Sequence, residues 1–225
     1  MMRGASVIGR EHVRLGRNNQ DAWAVACRGA TEVAVVTDGC SSGPRSEIGA
    51  AAGARWLARE TLLAAEGRPL DEALASLVTR ALVLWLDRLA VVLSGDRAET
   101  VEHALLFTFL CAVSRGGQVL VFGVGDGAVL CDDVVVQLDA GPDNAPDYAA
   151  YGLVGRAVSP VVHFSGDARR VAVMTDGFDG AGPRVTELVR ELGANPHALQ
   201  RRLNVLSGSE RFHDDATVAL LEAEG

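Results

Sequence analysis

No stretch of the 225-residue sequence runs for about 20 uncharged apolar residues, the length a membrane-spanning helix needs. The most apolar segment, around 81–93, is interrupted by Asp87 and Arg88 and reads as a buried helix. The opening Met1-Met2-Arg3-Gly4-Ala5 lacks the apolar stretch of a signal peptide, so a soluble, cytoplasmic protein is expected. Basic charge is also short: 29 acidic residues against 21 basic ones give a net charge of -8. A nucleic-acid backbone demands clustered Lys and Arg, so that class of partner is set aside. Cysteine is scarce, and no two of Cys27, Cys40, Cys111 and Cys131 stand at CxxC spacing, which argues against a zinc ribbon. Cys27, Cys111 and Cys131 lie in or beside apolar runs, where a free thiol packs as a small hydrophobe. Reduced thiols are the simplest state for such a set. No composition break or Ser/Pro-rich linker divides the chain, so a single domain over residues 1–225 is expected.

What the sequence does have is enough apolar residue, 48%, to fill a sizeable core. Short β-branched runs read as strands: 32–37, 105–113, 118–124, 129–131, 134–136, 171–175 and 217–221. Arg115-Gly116-Gly117 and Asp132-Asp133 join neighbouring runs as hairpins. Helical spacing covers 46–65 and 70–93, with Trp56 and Trp85 as core residues. Residues 184–192 form a shorter helix ended by Gly193, and Asn195-Pro196 opens another with an N-cap and a first-position proline. Strands cluster with strands and helices with helices. That order predicts an α+β domain built on mainly antiparallel sheets, and regular βαβ alternation is missing.

The informative feature is a near-repeat. Val33-Ala34-Val35-Val36-Thr37-Asp38-Gly39 recurs as Val171-Ala172-Val173-Met174-Thr175-Asp176-Gly177. A third apolar run ends in Gly125-Asp126-Gly127, Asp214-Asp215 leads directly into a strand, and so does Asp21. A single Asp-Gly is most simply a turn, but a turn does not require the five preceding residues to match. Carboxylates at strand tips that converge on one edge repel each other unless a cation neutralises them. Hard oxygen ligands select Mg²⁺, Mn²⁺ or Ca²⁺. The glycine after each aspartate lets backbone approach a ligand closely.

Together these pieces resemble the metal-dependent type 2C (PPM-type) serine/threonine protein phosphatases. The matching motifs are Asn19-Gln20-Asp21-Ala22, Val36-Thr37-Asp38-Gly39, Ser46-Glu47-Ile48-Gly49-Ala50, Gly123-Val124-Gly125-Asp126-Gly127, Thr175-Asp176-Gly177 and Asp214-Asp215-Ala216-Thr217. They run in the family's order from Gly9 to Leu221. Gly9-Arg10-Glu11-His12, followed by Gly16 and Asn19-Gln20-Asp21, looks closer to a compact bacterial branch than to the eukaryotic enzymes. The resemblance implies an αββα sandwich of two packed antiparallel sheets with helices outside. It also implies two Mn²⁺ or Mg²⁺ ions, with room for a third. Asp38 would bridge the pair and the Gly39 carbonyl would bind one ion. Asp176 and Asp214 would bind the other, Asp21 would ligate directly or through water, and Asp126 would help hold the third ion. Asp215 would orient its neighbour. The implied reaction is hydrolysis of phosphoserine and phosphothreonine in a phosphorylated protein by a water that two metals activate, and a regulatory partner protein is compatible with it. A hydrolase of small phosphorylated molecules and a catalytically silent binding module on the same fold are the alternatives.

Two positions depart from the family. The Arg that many members carry five residues before the aspartate matching Asp21 is here Gly16, so Arg17 and Arg14 are the candidate phosphate-binding residues. Some members place a His after the first Asp-Gly, where this chain has Cys40. His12 is a candidate proton donor for the leaving group, or else a structural histidine. His213 is either an outer partner of the metal site or a surface turn residue. Residues 139–159 are the least regular stretch and read as a mobile lid or a plain surface loop.

Overall fold

The computed structural model describes residues 1–93, 96–141, 145–178, 182–190, 192–193, 195–210 and 212–222. One sheet has the order β1-β10-β9-β6-β7, from strands β1 (Met2–Val7), β6 (Gly127–Cys131), β7 (Val134–Leu138), β9 (Arg170–Met174) and β10 (Ala216–Glu222). The other has the order β2-β3-β4-β5-β8, from β2 (Asp21–Arg28), β3 (Thr31–Gly39), β4 (Phe107–Arg115), β5 (Gln118–Val124) and β8 (Val161–Asp167). Every neighbouring pair is antiparallel. Helices α2 (Ser46–Ala64) and α3 (Glu72–Leu93) cover the second sheet, while α5 (Gly182–Val189) and α6 (Ala198–Glu210) cover the first. Two short helices, α1 (Arg10–Leu15) and α4 (Arg97–Thr100), lie outside these layers. The expected αββα sandwich is the architecture found.

Side-chain alternation along the strands builds the layers. Successive residues of a strand point to opposite faces. In β3, Val33 and Val35 join the core under α2 and α3, whereas Ala34 and Val36 join the core between the sheets. In β10, Val218 and Leu220 face α5 and α6, whereas Ala219 and Leu221 face the other sheet. Both faces of these strands are therefore buried, so they read as continuous apolar runs and not as an alternation. Trp56 of α2 stacks on Trp85 of α3 with ring centroids 5.2 Å apart, and both, expected as core residues, are partly buried against the core under these helices.

The hairpins expected at Gly116-Gly117 and Asp132-Asp133 are present. α5 ends at Val189, short of the expected Leu192, so Gly193, at φ 59, lies beyond it and does not cap it. The Asn195 carboxamide oxygen accepts from the His197 N–H at 2.9 Å just ahead of α6, which starts at Ala198 and so later than the expected Asn195-Pro196 opening. Several elements were not foreseen, among them β1, where Arg3, Gly4 and Ser6 interrupt the apolar residues, β8, which mixes polar and apolar residues, and the short helices α1 and α4. Cys27, expected in an apolar interior, is exposed on β2, the outermost strand of its sheet.

Part of 139–159, expected as a mobile lid or a plain surface loop, forms a short helix. Residues 142–144 lie outside the described residues. Beyond them a 3₁₀ helix, Ala149–Val154, inserts Ala149 and Ala150 into the core beneath α3. Its flank is pinned as well: the Arg156 guanidinium lies 4.1 Å from the Tyr151 ring centre and pairs with Asp147 at 3.0 Å. This stretch packs against the core and carries side chains to the site described next.

Candidate metal centre

Antiparallel pairing explains how distant aspartates meet. The end of one strand and the start of the next lie at the same edge of a sheet. Asp21 opens β2 and Asp38 lies near the end of β3, and the two are direct cross-strand partners. Asp176 follows β9, Asp214 precedes β10, and Asp126 lies in the crossing between β5 and β6. The carboxylates of Asp38, Asp126, Asp176 and Asp214 line one cleft of about 110 Å³. Cys40, Ser41, Thr108, Pro146 and Tyr148 form the rest of its wall.

The carboxylates press on one another. Burial is the main cause that pushes the Asp38 carboxyl well above its usual range, and the charges of Asp21, Asp176 and Asp126 add to it. Asp38 and Asp176 are in hydrogen-bond contact, which two ionised carboxylates cannot be without a shared proton or cation. Asp21 is raised to about 8, again chiefly by burial and partly relieved by hydrogen bonds from Thr175 and Thr217. Thr175 Oγ1 donates to Asp21 Oδ2 at 2.7 Å and accepts from the Thr217 N–H at 3.0 Å, stitching the two sheets together at the site. A group of oxygen-only ligands that destabilise each other's charge suits hard divalent cations such as Mn²⁺ and Mg²⁺.

Each expected residue has a place. Asp38, Asp126, Asp176 and Asp214 share the cleft, and Gly39 adjoins it. Asp21 sits behind Asp38 with one oxygen taken by Thr175 and is not among the cleft-lining side chains. Asp215 is almost fully buried and accepts from the Gly9 N–H at 2.7 Å and the Gln20 N–H at 2.6 Å. Both its oxygens therefore serve the N-terminal segment. His12 is 5% exposed and lies behind the aspartates. Its Nδ1 stands 2.8 Å from Asp215 Oδ2 and 3.8 Å from Asp214 Oδ1, off the line of a hydrogen bond. His12, Asp214 and Asp215 are close enough to hold an ion on distance alone, but the two backbone N–H groups already use Asp215. Arg17 donates to the Ser41 carbonyl at the rim of the cleft, whereas Arg14 is turned outward onto Glu11 at 2.7 Å. His213 is exposed and contributes its carbonyl to the Glu11 N–H, as a turn residue does.

Three features escaped the sequence reading. The glycine of each Asp-Gly is required by packing: a Cβ on Gly177 would strike the Asp215 carbonyl, and one on Gly39 would meet Gln20 and Ser46. Gly125 and Gly127, at φ 99 and 121, hold Asp126 in a crossing that other residues rarely enter. The threonine before each Asp-Gly is structural, since Thr37 Oγ1 donates to the Ala50 carbonyl of α2 at 2.9 Å and Thr175 holds Asp21. The near-repeated heptapeptides ending in Thr-Asp-Gly were the available signal for Gly39, Gly177 and the two threonines. Tyr148 is the third. It is 9% exposed, its hydroxyl and the Cys40 thiol are in hydrogen-bond contact, and burial together with Cys40 keeps the phenol protonated far above neutrality. The thiol of Cys40 is opposed by burial but lowered on balance by hydrogen bonds from Ser42 and Tyr148.

Removing Asp215 tests the frame and not the chemistry. Asp215→Ala strands two buried N–H groups and is expected to cost about 3 kcal/mol of stability, read as a lower urea midpoint. An unchanged midpoint would show that the Gly9 and Gln20 contacts do not hold the segment.

Comparison with known proteins places this geometry. The sequence matches the Protein phosphatase 2C family over residues 8–221. The fold is similar to the serine/threonine phosphatase Stp1 from Staphylococcus aureus, with a TM-score of 0.70 at 16% identity over 100% of this chain and 95% of that one. It is similar to the Mycobacterium tuberculosis phosphatase PstP/Ppp, with a TM-score of 0.61 at 15% identity over 100% of this chain and 99% of that one. A structure of the PstP catalytic domain in complex with two manganese ions matches with a TM-score of 0.60 at 16% identity, over 100% of this chain and 98% of that one. No curated protein matches the sequence.

Proposed function

The chain belongs to the protein phosphatase 2C family, and from that premise we propose which of its residues carry out the metal-dependent hydrolysis of phosphoserine and phosphothreonine. The enzyme is a metal-dependent protein phosphatase that uses Mn²⁺ or Mg²⁺ and acts on phosphorylated protein. The observation that carries the residue assignment is the convergence of Asp38, Asp126, Asp176 and Asp214, drawn from both sheets, on one cleft. Asp38, on which burial and the charges of Asp21, Asp176 and Asp126 press, would be the ligand shared by the two ions. The Gly39 carbonyl would contribute beside it, Asp176 and Asp214 would hold the second ion, and Asp126 would help hold a third. Asp21, its outer oxygen held by Thr175, acts through water or by orienting Asp38.

Two such ions supply a water of lowered pKa and neutralise charge at the phosphoryl oxygens. The chain's own residues do the rest. Thr175 and Thr217 fix Asp21, and Asp215 ties Gly9 and Gln20 to the strand that carries Asp214. His12, buried with its Nδ1 2.8 Å from Asp215 Oδ2 and not among the side chains lining the cleft, is better suited to positioning Asp215 than to protonating a leaving group. Arg17 holds the Ser41 carbonyl and so shapes the rim. We place residues 1–225 in one catalytic domain working in a bacterial cytoplasm, where reduced thiols are stable. In keeping with that, no helix among the described residues is long and apolar enough to cross a membrane.

Hydrolysis of p-nitrophenyl phosphate is the first test. Activity is expected with Mn²⁺ and at background with EDTA. A phosphothreonine peptide is expected to be turned over with a higher kcat/KM than small phosphorylated metabolites. The reverse preference would move the substrate to the small-molecule class, and metal-independent turnover would remove the assignment altogether.

A further inference from the structure

Resting on the phosphatase reading above, we propose that the Tyr148 hydroxyl is the side-chain donor that grips the substrate's phosphoryl oxygen in this enzyme.

The argument begins with what faces the cleft. A phosphate monoester is an anion, and one wall of this cleft is four carboxylates that only bound cations can make receptive to it. The opposite wall must supply hydrogen bonds. Among the described residues lining the cleft there is no lysine or arginine. Arg17 and Arg14 stand outside the lining set, Arg17 donating to the Ser41 carbonyl at the rim and Arg14 to Glu11. The available side-chain donors are therefore Cys40, Ser41, Thr108 and Tyr148. A thiol is a weak donor. The short Thr108 side chain packs against Gly125, whereas the longer Tyr148 side chain carries its hydroxyl to Cys40 and Asp38. Ser41 is solvent-exposed at the rim, where water competes for its hydroxyl.

Tyr148 is left, and it is built to be rigid. The Tyr148 carbonyl accepts from the Tyr151 N–H at 3.0 Å, and its ring meets Tyr151 edge to face at 5.3 Å. The following Ala149 and Ala150 are fully buried. A side chain with only two rotatable bonds, anchored this way, loses little entropy when its hydroxyl engages an anion. The hydroxyl rests against the Cys40 thiol near Asp38, and to grip the phosphoryl oxygen its O–H turns from that weakly accepting sulfur to the anion. A neutral phenol adds no charge that would compete for the carboxylates, which an arginine in the same place would do.

Tyr148→Phe removes one oxygen and keeps the ring. With the Mn²⁺ enzyme and p-nitrophenyl phosphate, KM and the inhibition constant of inorganic phosphate are both expected to rise about tenfold or more, the usual worth of a hydrogen bond to a charged group. The Mn²⁺ activation constant and the melting temperature should stay at their wild-type values. Tyr151→Phe, whose hydroxyl lies outside the cleft lining, should change neither phosphate constant. Wild-type phosphate constants in Tyr148→Phe overturn the proposal. So does a rise that is matched by weaker Mn²⁺ activation, because Tyr148 would then act by shaping the metal cluster. Calorimetric binding of inorganic phosphate to the Mn²⁺-loaded protein separates this proposal from the phosphatase reading. If the wild type binds phosphate without turning over substrate, that reading fails, and Tyr148 is still judged by whether the Phe variant loses the binding.

Discussion

Asp38→Asn is expected to abolish turnover: hydrolysis of p-nitrophenyl phosphate by the Mn²⁺ enzyme should fall at least about a thousandfold. The carboxamide has nearly the same size, so it fits between Asp21, Asp126 and Asp176 without moving them. It has lost one oxygen ligand and the whole negative charge, and an amide with one carbonyl oxygen cannot bridge two cations as a carboxylate does. The variant should gain stability when metal is withheld, because one member of a crowded acidic set no longer opposes its neighbours. The expected pattern is thus a dead enzyme that melts higher than the wild type in EDTA. Near-normal Mn²⁺-dependent activity in this variant would disprove Asp38 as the bridge.

The second large effect is on stability against pH, and its direction depends on metal. Asp38 and Asp21 are both raised in the folded chain, Asp21 from 3.8 to about 8. A carboxyl raised by folding holds protons that the unfolded chain has already released. Its contribution is complete below the unfolded value and is lost as pH climbs through the folded one. The metal-free protein should therefore lose stability steadily between about pH 4 and about pH 8. Mn²⁺ binds the deprotonated carboxylates, so in its presence stability should rise over the same interval. At a free concentration a thousand times the dissociation constant, one site contributes about 4 kcal/mol. Melting curves at pH 5 and pH 8, each with EDTA and with Mn²⁺, give four values. Equal melting temperatures in EDTA at the two pH values, with no shift on adding Mn²⁺, would mean that the carboxylates do not form the crowded set described.

Much of this was legible before any coordinates. The repeated pentapeptide before Asp38 and Asp176 marks two buried strands ending at the same edge, because burial on both faces demands unbroken apolar residues. The two long helices were equally plain from their spacing. Other parts left no local trace. β1 is a strand because β10 offers it a partner over six residues, although Met2-Arg3-Gly4-Ala5-Ser6-Val7 has no strand pattern of its own. The division of labour between Asp214 and Asp215 is set by Gly9 and Gln20, which lie some two hundred residues away in sequence. Tyr148 sits in a stretch whose irregularity suggested looseness. Its anchoring comes from Ala149 and Ala150 entering a core made elsewhere, a tertiary fact that residue types alone do not carry.

The carboxylates come from both leaves of the sandwich: Asp21 and Asp38 ride on one, Asp176 and Asp214 on the other. The spacing of the leaves is set by the side chains between them, several of which are as small as Ala34, Ala112 and Ala219. The spacing of the carboxylates is therefore governed by interior bulk well away from them. A cation held across the edge would work as a rivet, resisting any slip of one leaf along the other, and a larger residue wedged into the seam would spread the jaws that grip it.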